Sequence, residues 1–128
     1  MQRLGANNNI LTGKAGEELA VAYLSSIRYS ILERNYRSKG GEVDIIARSP
    51  DGTIAFVEVK SRRNKSYGLP QSAVTPKKQR QVSKGALSWL AIKKLHGVAA
   101  RFDVIAVMIT DDSHHEIEHI QNAFELNY

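Results

Sequence analysis

The order of hydrophobic patterns along the chain predicts an α/β domain with a mixed sheet of about five strands flanked by helices. Two segments have the apolar spacing of amphipathic helices, and the segments around them are short runs rich in Val, Ile and Phe. A strand, helix and strand follow one another in the second half, which implies a right-handed crossover and a parallel pair. With 128 residues, 42% of them hydrophobic, the chain fits a single domain. The predicted order is α-β-β-β-α-β-β.

The first helix is predicted over residues 12–28, with Thr12 as its N-cap. Its buried stripe consists of small and apolar residues at helical spacing, namely Gly16, Ala20, Tyr23, Leu24 and Ile27. Glu17 falls at the edge of this stripe, whereas Glu18 points almost oppositely. Glu17 is therefore the carboxylate expected to reach the sheet. A place in the first turn would also favour its ionised form, because the helix dipole is positive there.

Three strands are predicted next, at residues 31–37, 43–48 and 54–60. The last two are separated by residues 49–53, whose Pro-Asp-Gly sequence is a turn signal. If Arg48 pairs with Ile54 across this loop, Asp44 lies opposite Glu58. Residues directly opposite on antiparallel strands have Cβ atoms about 4.5–5.5 Å apart, where like charges repel. The two carboxylates therefore call for a cation between them.

A Glu-x-Lys pattern ends the third strand, and the alternation of side chains puts Glu58 and Lys60 on one face. The same register places Glu42 opposite Lys60, and Glu42 is expected to orient Lys60 or an arginine, with a second metal position as the alternative. Acidic residues inside apolar strands are costly unless they are paired or bind a metal. Oxygen-rich sites suit Mg²⁺ or Mn²⁺, and a neighbouring lysine can supply charge to a phosphate or orient a water. The alternative is a structural salt-bridge cluster.

The second helix is predicted over residues 76–94, because Thr75-Pro76 is a strong start signal and Gly97 is a stop. Its buried stripe consists of Val82, Ala86, Trp89 and Leu90. Lys78 and Gln79 lie at the N-terminal end of that stripe. They are predicted as accessory residues of the site, with a solvated first turn as the alternative.

Two strands complete the domain, at residues 101–109 and 116–120. The first is apolar on both faces apart from Asp103, so it is expected inside the sheet, parallel to strand 54–60. Asp103 and Arg101 are predicted to form a structural ion pair, with Asp103 reaching the site as the alternative. Three histidines follow a turn sequence and are not predicted to bind zinc: His114, His115 and His119.

The excess positive charge of the chain is concentrated after the Glu-x-Lys strand. Eight basic residues and no acidic ones lie between Lys60 and Lys84, whereas the rest of the chain has 10 basic and 13 acidic residues. A polyanion would dock there, and the alternative is an ordinary solvated surface. The predicted nucleic-acid contacts are Arg62, Arg63, Lys65, Tyr67, Lys77, Arg80 and Lys84, with Tyr67 able to stack on an unpaired base.

Several of these motifs together resemble the bacterial YraN-like family. They are Gly13-Lys14-Ala15-Gly16-Glu17, Gly40-Gly41-Glu42-Val43-Asp44, Phe56-Val57-Glu58-Val59-Lys60, Lys78-Gln79 and Arg101-Phe102-Asp103-Val104. That family is similar to the PD-(D/E)XK nuclease superfamily, in particular to archaeal Holliday junction resolvases. The resemblance implies a restriction-endonuclease-like fold. It also implies catalytic positions at Glu17, Asp44, Glu58 and Lys60, with the first three holding metal and Glu42 as an accessory. The superfamily's Pro-Asp is Val43-Asp44 here.

The function expected from the residues and the resemblance is that of a Mg²⁺- or Mn²⁺-dependent nuclease that binds structured DNA. A non-catalytic nucleic-acid-binding module and a protein-interaction adaptor stay open as alternatives. A homodimer is also left open, since junction resolvases act as dimers.

The composition predicts a cytoplasmic protein that does not enter a membrane. No apolar run approaches the 18 residues of a membrane helix, and the start of the chain lacks the apolar core of a signal peptide. The absence of cysteine excludes disulfides and thiolate chemistry. Residues 1–11 are expected to be a flexible tail and residues 12–128 the nuclease-like domain.

Overall fold

The computed structural model describes residues 8–63, 74–111 and 113–127. The elements are α1 (Asn8–Ser26), β1 (Ser30–Ser38), β2 (Gly41–Arg48), β3 (Ile54–Arg62), α2 (Pro76–Lys93), β4 (Ala100–Asp111) and β5 (His114–Phe124). This is the predicted order α-β-β-β-α-β-β. The five strands form one mixed sheet in the order β1-β2-β3-β4-β5.

The two strand pairings that were predicted are present: β2 and β3 are antiparallel, and β3 and β4 are parallel and joined through α2. β1 with β2 and β4 with β5, for which no pairing was predicted, are antiparallel. Arg48 pairs with Ile54, as the turn sequence predicted. β4 has a neighbour on each side, so it lies inside the sheet. β5 is longer than the predicted strand 116–120, since its exposed histidines and glutamates hid the strand pattern.

Each helix covers one face of the sheet. On the face covered by α1, here called the α1 face, Ala20 and Leu24 pack on a cluster that includes Ile45 and Val57. On the opposite α2 face, Trp89 packs edge-on against Phe56, with ring centroids 6.0 Å apart. The buried residues of α2 include three of the four predicted, Val82, Ala86 and Trp89, and Leu90 is half-buried.

Helix α1 differs from the prediction at both ends. It begins at Asn8 and not at the predicted N-cap Thr12, so part of the segment expected to be a tail is helical. It ends at Ser26, and Ile27 beyond it is 37% exposed instead of buried. The earlier start places Glu17 well inside the helix. The positive end of the helix dipole therefore does not stabilise the ionised form of Glu17 as predicted, because that effect is confined to the first turn.

Helix α2 begins as predicted. The Thr75 hydroxyl oxygen accepts a hydrogen bond from the Lys78 backbone N–H at 3.2 Å, and Pro76 occupies the first turn. The helix ends at Lys93, where Lys94 adopts a left-handed conformation with φ of 58°. The stop therefore comes before the predicted signal, Gly97.

Both helices approach the sheet closely at glycines. A Cβ on Gly16 would lie 1.7 Å from Ser61 Oγ at the end of β3. A Cβ on Gly41 would lie 2.4 Å from the Gly85 backbone nitrogen of α2. No side chain fits at either contact, so these glycines let α1 and α2 sit against the strands that hold the predicted site.

Candidate active site

The alternation of side chains in β2 breaks at Asp44. Val43 and Ile46 both pack on the α2 face, whereas Ile45 packs on the α1 face. Strict alternation would place Val43 with Ile45. The strand therefore changes faces around Asp44, and the carboxylate of this residue does not belong to either packed layer.

Asp44 instead reaches across to β3. The register of β2 with β3 runs from Arg48 and Ile54 to Ile45 and Val57, and pairing stops there. The Val59 backbone N–H donates to Asp44 Oδ2 at 2.8 Å. The carboxylate thus takes a ladder hydrogen bond at the point where the strands separate, which holds Asp44 beside Glu58.

Glu58 is the buried acid of this site. Its side chain is 3% exposed, and Oε1 has no hydrogen-bond partner in the described part of the chain. Oε2 lies 3.6 Å from the ammonium nitrogens of Lys60 and Lys78. Burial, followed by the charge and the hydrogen-bonding contact of Asp44, raises the pKa of Glu58 to about 8 against the pull of both lysines. Glu58 is therefore largely protonated at neutral pH.

Lys78 links two acidic residues from its place in the first turn of α2. Its Nζ lies 2.5 Å from Glu42 Oε1, and this hydrogen bond is the main cause that lowers the pKa of Glu42. Burial works to lower the pKa of Lys78, but Glu42 and Glu58 outweigh it and the pKa is raised. Lys78 is thus a fixed cation of the site.

Glu42 was predicted to orient Lys60 or an arginine, and among the described ion pairs it contacts Arg37 and Lys78. It does not contact Lys60, because the break at Asp44 ends the register that would bring the two together. The Gln79 side chain donates to the Val74 carbonyl at 3.1 Å, so it holds the start of α2 instead of reaching the strands.

Glu17 approaches Asp44 from α1. Burial, then the charge of Asp44, raises its pKa, while Arg34 and a hydrogen bond from Asn35 oppose the shift. This corrects the expectation that the helix dipole would favour the ionised form. Glu17 also lines an open cavity of about 520 Å³ together with Lys14, Glu18, Arg34 and Asn35. As predicted, Glu18 points elsewhere and pairs with Arg34 at 2.9 Å.

The four predicted catalytic residues thus lie in one region, but they are not arranged as a complete set of metal ligands. Within residues 8–63, 74–111 and 113–127, no three His, Asp or Glu side chains are arranged to hold an ion. The unpartnered oxygen of Glu58 beside Asp44 nevertheless fits a hard cation, since Mg²⁺ binds through one or two carboxylates and keeps several waters. Asp44 and Glu58 are the residues that fit it best.

Basic side chains surround this region on two elements. Lys77, Arg80 and Lys84 are exposed on α2, and Arg63 is exposed after β3. Lys65 and Tyr67, predicted to contact nucleic acid, lie outside the described residues. The sequence analysis missed Arg37, 80% exposed, and Lys39 at the β1–β2 turn. These two residues come close to α2 only in the folded structure, because Gly40 of the same turn lies against Lys84.

The C-terminal half has a second buried acid, Asp103, on the α1 face. The predicted ion pair with Arg101 is present, with Nε 3.0 Å from Oδ1. His119 Nε2 lies 2.8 Å from the other oxygen, and His119 Nδ1 lies 3.0 Å from the Tyr23 hydroxyl. His114 contacts Asp111 instead. The histidines are therefore separated into different networks.

The fold and the site together define an α/β domain with a five-stranded mixed sheet between two helices, in which a helix glutamate, a strand aspartate and a Glu-x-Lys strand meet. The chain belongs to the uncharacterised protein family UPF0102, whose family model matches residues 16–107. The resemblance to YraN-like proteins is thereby confirmed.

Relatives of this family match the chain over nearly its whole length. The UPF0102 protein of Trichlorobacter lovleyi is 56% identical over 128 residues and covers 100% of both chains. That of Pelobacter propionicus is 58% identical over 122 residues, 94% of this chain and 87% of the relative. That of Rhodococcus opacus is 44% identical over 117 residues, 91% and 98% of the two chains.

Two solved structures have a distant likeness. An EndoMS–dsDNA2 complex has a TM-score of 0.36 at 19% identity and covers 70% of this chain and 33% of that one. Pyrococcus furiosus SfsA in complex with Ca²⁺ has a TM-score of 0.31 at 14% identity, covering 88% and 63%. Scores this low support no statement about function.

Of the helices in the described part of the chain, neither has the length and apolar character needed to cross a membrane.

Proposed function

We propose that this protein is a Mg²⁺- or Mn²⁺-dependent nuclease that hydrolyses phosphodiester bonds in structured DNA. The observation that carries the proposal is Glu58, a carboxyl group buried beside Asp44 with one oxygen unpartnered. Buried polar atoms without partners are rare in folded proteins, and strongly shifted acids cluster at functional sites. A divalent ion would supply the missing partner.

Asp44 and Glu58 would hold the ion, with the Val59 carbonyl and with Glu17 directly or through water. When bound, such an ion lowers the pKa of a water and polarises a phosphoryl oxygen. The Val59 N–H keeps Asp44 turned into the gap between β2 and β3. Lys60, whose Nζ is 3.6 Å from Glu58, is placed to stabilise charge on the phosphate or to orient the attacking water.

Lys78 has a different part in this scheme. Its ammonium group lies between Glu42 and Glu58, so it neutralises one of the acids of the site without leaving α2. A fixed cation next to the reacting phosphate would favour the extra negative charge that develops there. Glu42 serves as the anchor of Lys78, because its hydrogen bond is the shortest contact that Lys78 makes.

The substrate is inferred from the charge of the surrounding surface. Lys77, Arg80 and Lys84 are exposed on α2, the helix that carries Lys78, and Lys84 lies against the turn that contains exposed Lys39. Such residues contact phosphates and make binding dependent on salt. A polyanion held there would place a phosphodiester near Asp44 and Glu58.

A second candidate function is a non-catalytic nucleic-acid-binding module. The observation that favours it is that Lys60 and Lys78 both lie 3.6 Å from the same Glu58 oxygen. Two cations are enough to balance the acids in a purely structural cluster. This candidate gives binding that weakens with salt but no turnover dependent on metal.

The test is cleavage of a panel of structured DNAs, including four-way junctions, with Mn²⁺ or EDTA. Asp44→Ala is expected to lose more than 100-fold in rate, since even outer residues of metal sites are worth about 10–100-fold. The matched control is Glu125→Gln, an exposed acid beyond β5, which should cut like the parent. An Asp44→Ala variant that cuts as well as the parent removes the assignment. DNA binding by the parent without metal-dependent cleavage favours the second candidate.

A further inference from the structure

The side chains of β2 change from one face of the sheet to the other at Asp44, and those of β1 do the same at the position opposite. Arg34 pairs with Ile45 and Tyr36 pairs with Val43, so Asn35 is the residue that faces Asp44. Arg34 contacts Glu18 of α1, whereas the Tyr36 hydroxyl lies 3.0 Å from Ser88 Oγ of α2. Residues two apart in a regular strand share a face. Both strands therefore switch faces at this one pair.

In β1, the backbone conformation of Asn35 causes this change of faces. Its φ is 52°, in the left-handed region that non-glycine residues seldom adopt and that asparagine tolerates best. The Asn35 side chain lines the same cavity as Glu17 of α1, and its hydrogen-bonding influence acts to lower the pKa of that carboxyl group. A turn that needed only the backbone shape would be met by glycine.

A second left-handed asparagine has the same relation to the other buried acid. Asn122 has φ of 53° and lies where the register of β5 shifts opposite Asp103. There the backbone N–H, not the side chain, donates to Asp103 Oδ1 at 3.0 Å. The two left-handed asparagines thus interact with acids in different ways. Asn122 uses its backbone N–H to contact Asp103, whereas Asn35 places its side-chain carboxamide beside Glu17 of α1.

We propose that Asn35 is a positioning residue of the candidate site, whose left-handed backbone aims its carboxamide at Glu17 and holds that carboxylate toward Asp44. The inference rests on the proposed function, in which Glu17 contributes to holding the ion. Residues that orient metal-binding carboxylates by hydrogen bonds contribute to metal affinity without touching the metal. Asn35 is a residue of this kind.

The first test measures Mn²⁺ binding to the full chain by isothermal titration calorimetry. Asn35→Gly keeps the left-handed backbone and removes the carboxamide, and it is expected to weaken Mn²⁺ binding by about tenfold or more. Asn122→Gly is the matched control, because it makes the same change in the kink that uses only its backbone N–H. It should bind Mn²⁺ like the parent. Affinity of Asn35→Gly within about twofold of the parent overturns the inference.

The second test needs no metal. The side-chain amide resonances of Asn35 in ¹⁵N NMR spectra are expected to move in Glu17→Ala and to stay in place in Glu18→Ala. If the parent binds no Mn²⁺, the metal proposal is overturned, while a shift in Glu17→Ala still supports Asn35 as the residue that holds Glu17. An amide that does not respond to Glu17→Ala overturns the inference, whatever the metal does.

Discussion

Glu58 and Asp103 are the buried acids of the described chain, 3% and 0% exposed, and they lie on neighbouring parallel strands. Asp103 pairs in register with Val57, the residue before Glu58, so the two acids face opposite sides of the sheet. Asp103 accepts hydrogen bonds from Arg101, from His119 and from the Asn122 N–H. Glu58 has two lysines 3.6 Å from one oxygen and no partner for the other.

Burial acts in the same direction on both acids, but their net pKa shifts are opposite. Burial works to raise the pKa of Asp103, but the hydrogen bonds from His119, Asn122 and Arg101 outweigh it and the pKa is lowered. For Glu58, burial and the charge of Asp44 prevail and raise the pKa to about 8. The difference separates an acid whose hydrogen-bond partners are supplied by the fold from one with an unpartnered oxygen among the described residues.

The largest expected effect on stability comes from removing the Asp103 charge. Asp103→Asn should lower the free energy of unfolding by about 3 kcal/mol, because loss of one partner leaves Arg101 uncompensated and breaks the His119 network. Glu58→Gln at pH 8 should leave the free energy equal or raise it, since it removes a buried charge next to Asp44. Urea denaturation measures both. A similar loss in the two variants would mean that Glu58 is a structural acid like Asp103.

Much of this comparison could be predicted from sequence. The Pro-Asp-Gly turn fixed the register of Arg48 with Ile54, and the alternation of Glu58 and Lys60 predicted a shared face, which their 3.6 Å contact confirms. Turn chemistry and alternation are local properties, so a short window of residues contains them. The ion pair of Arg101 and Asp103 was predicted for the same reason.

The parts that sequence reasoning missed depend on non-local geometry. An asparagine within a strand pattern indicates a kink at most, and only the three-dimensional structure shows that Asn35 lies opposite Asp44 and lines a cavity with Glu17. His119 was grouped with its neighbours in sequence, whereas its partners Tyr23 and Asp103 come from distant segments. The start of α1 was missed because Thr12 resembles an N-cap and the preceding residues resemble a tail.

The pH dependence of stability should have opposite signs at the two acids. The pKa of Glu58 is raised in the folded protein, so its favourable contribution is complete below the unfolded value of about 4.5 and is lost as the pH rises through about 8. The pKa of Asp103 is lowered, so its contribution is present above the unfolded value of about 3.8 and is lost as the pH falls through the folded value.

The two opposite pH dependences can be measured as differences in the free energy of unfolding between the parent and each variant. From pH 5 to pH 8 the parent should lose stability relative to Glu58→Gln, whereas its difference from Asp103→Asn should stay constant over that range. Below pH 4 the advantage of the parent over Asp103→Asn should shrink. A flat difference between the parent and Glu58→Gln from pH 5 to pH 8 would contradict the raised pKa of Glu58.

The smallest expected effect is stabilisation by a divalent ion, and we expect it to depend on Glu58 and not on Asp103. A bound ion needs ionised carboxylates, so Mn²⁺ must displace the proton that Glu58 keeps below about pH 8. At 100 times its dissociation constant, an ion that binds only the folded state adds about 2.7 kcal/mol. Thermal denaturation with and without Mn²⁺ should therefore show a larger shift at pH 8 than at pH 6. Glu58→Gln should lose the shift, while Asp103→Asn, destabilised but with the site intact, should keep it. A shift that survives in Glu58→Gln would place the ion elsewhere, and the raised pKa of Glu58 would then reflect burial and the neighbouring Asp44 without any role in metal binding.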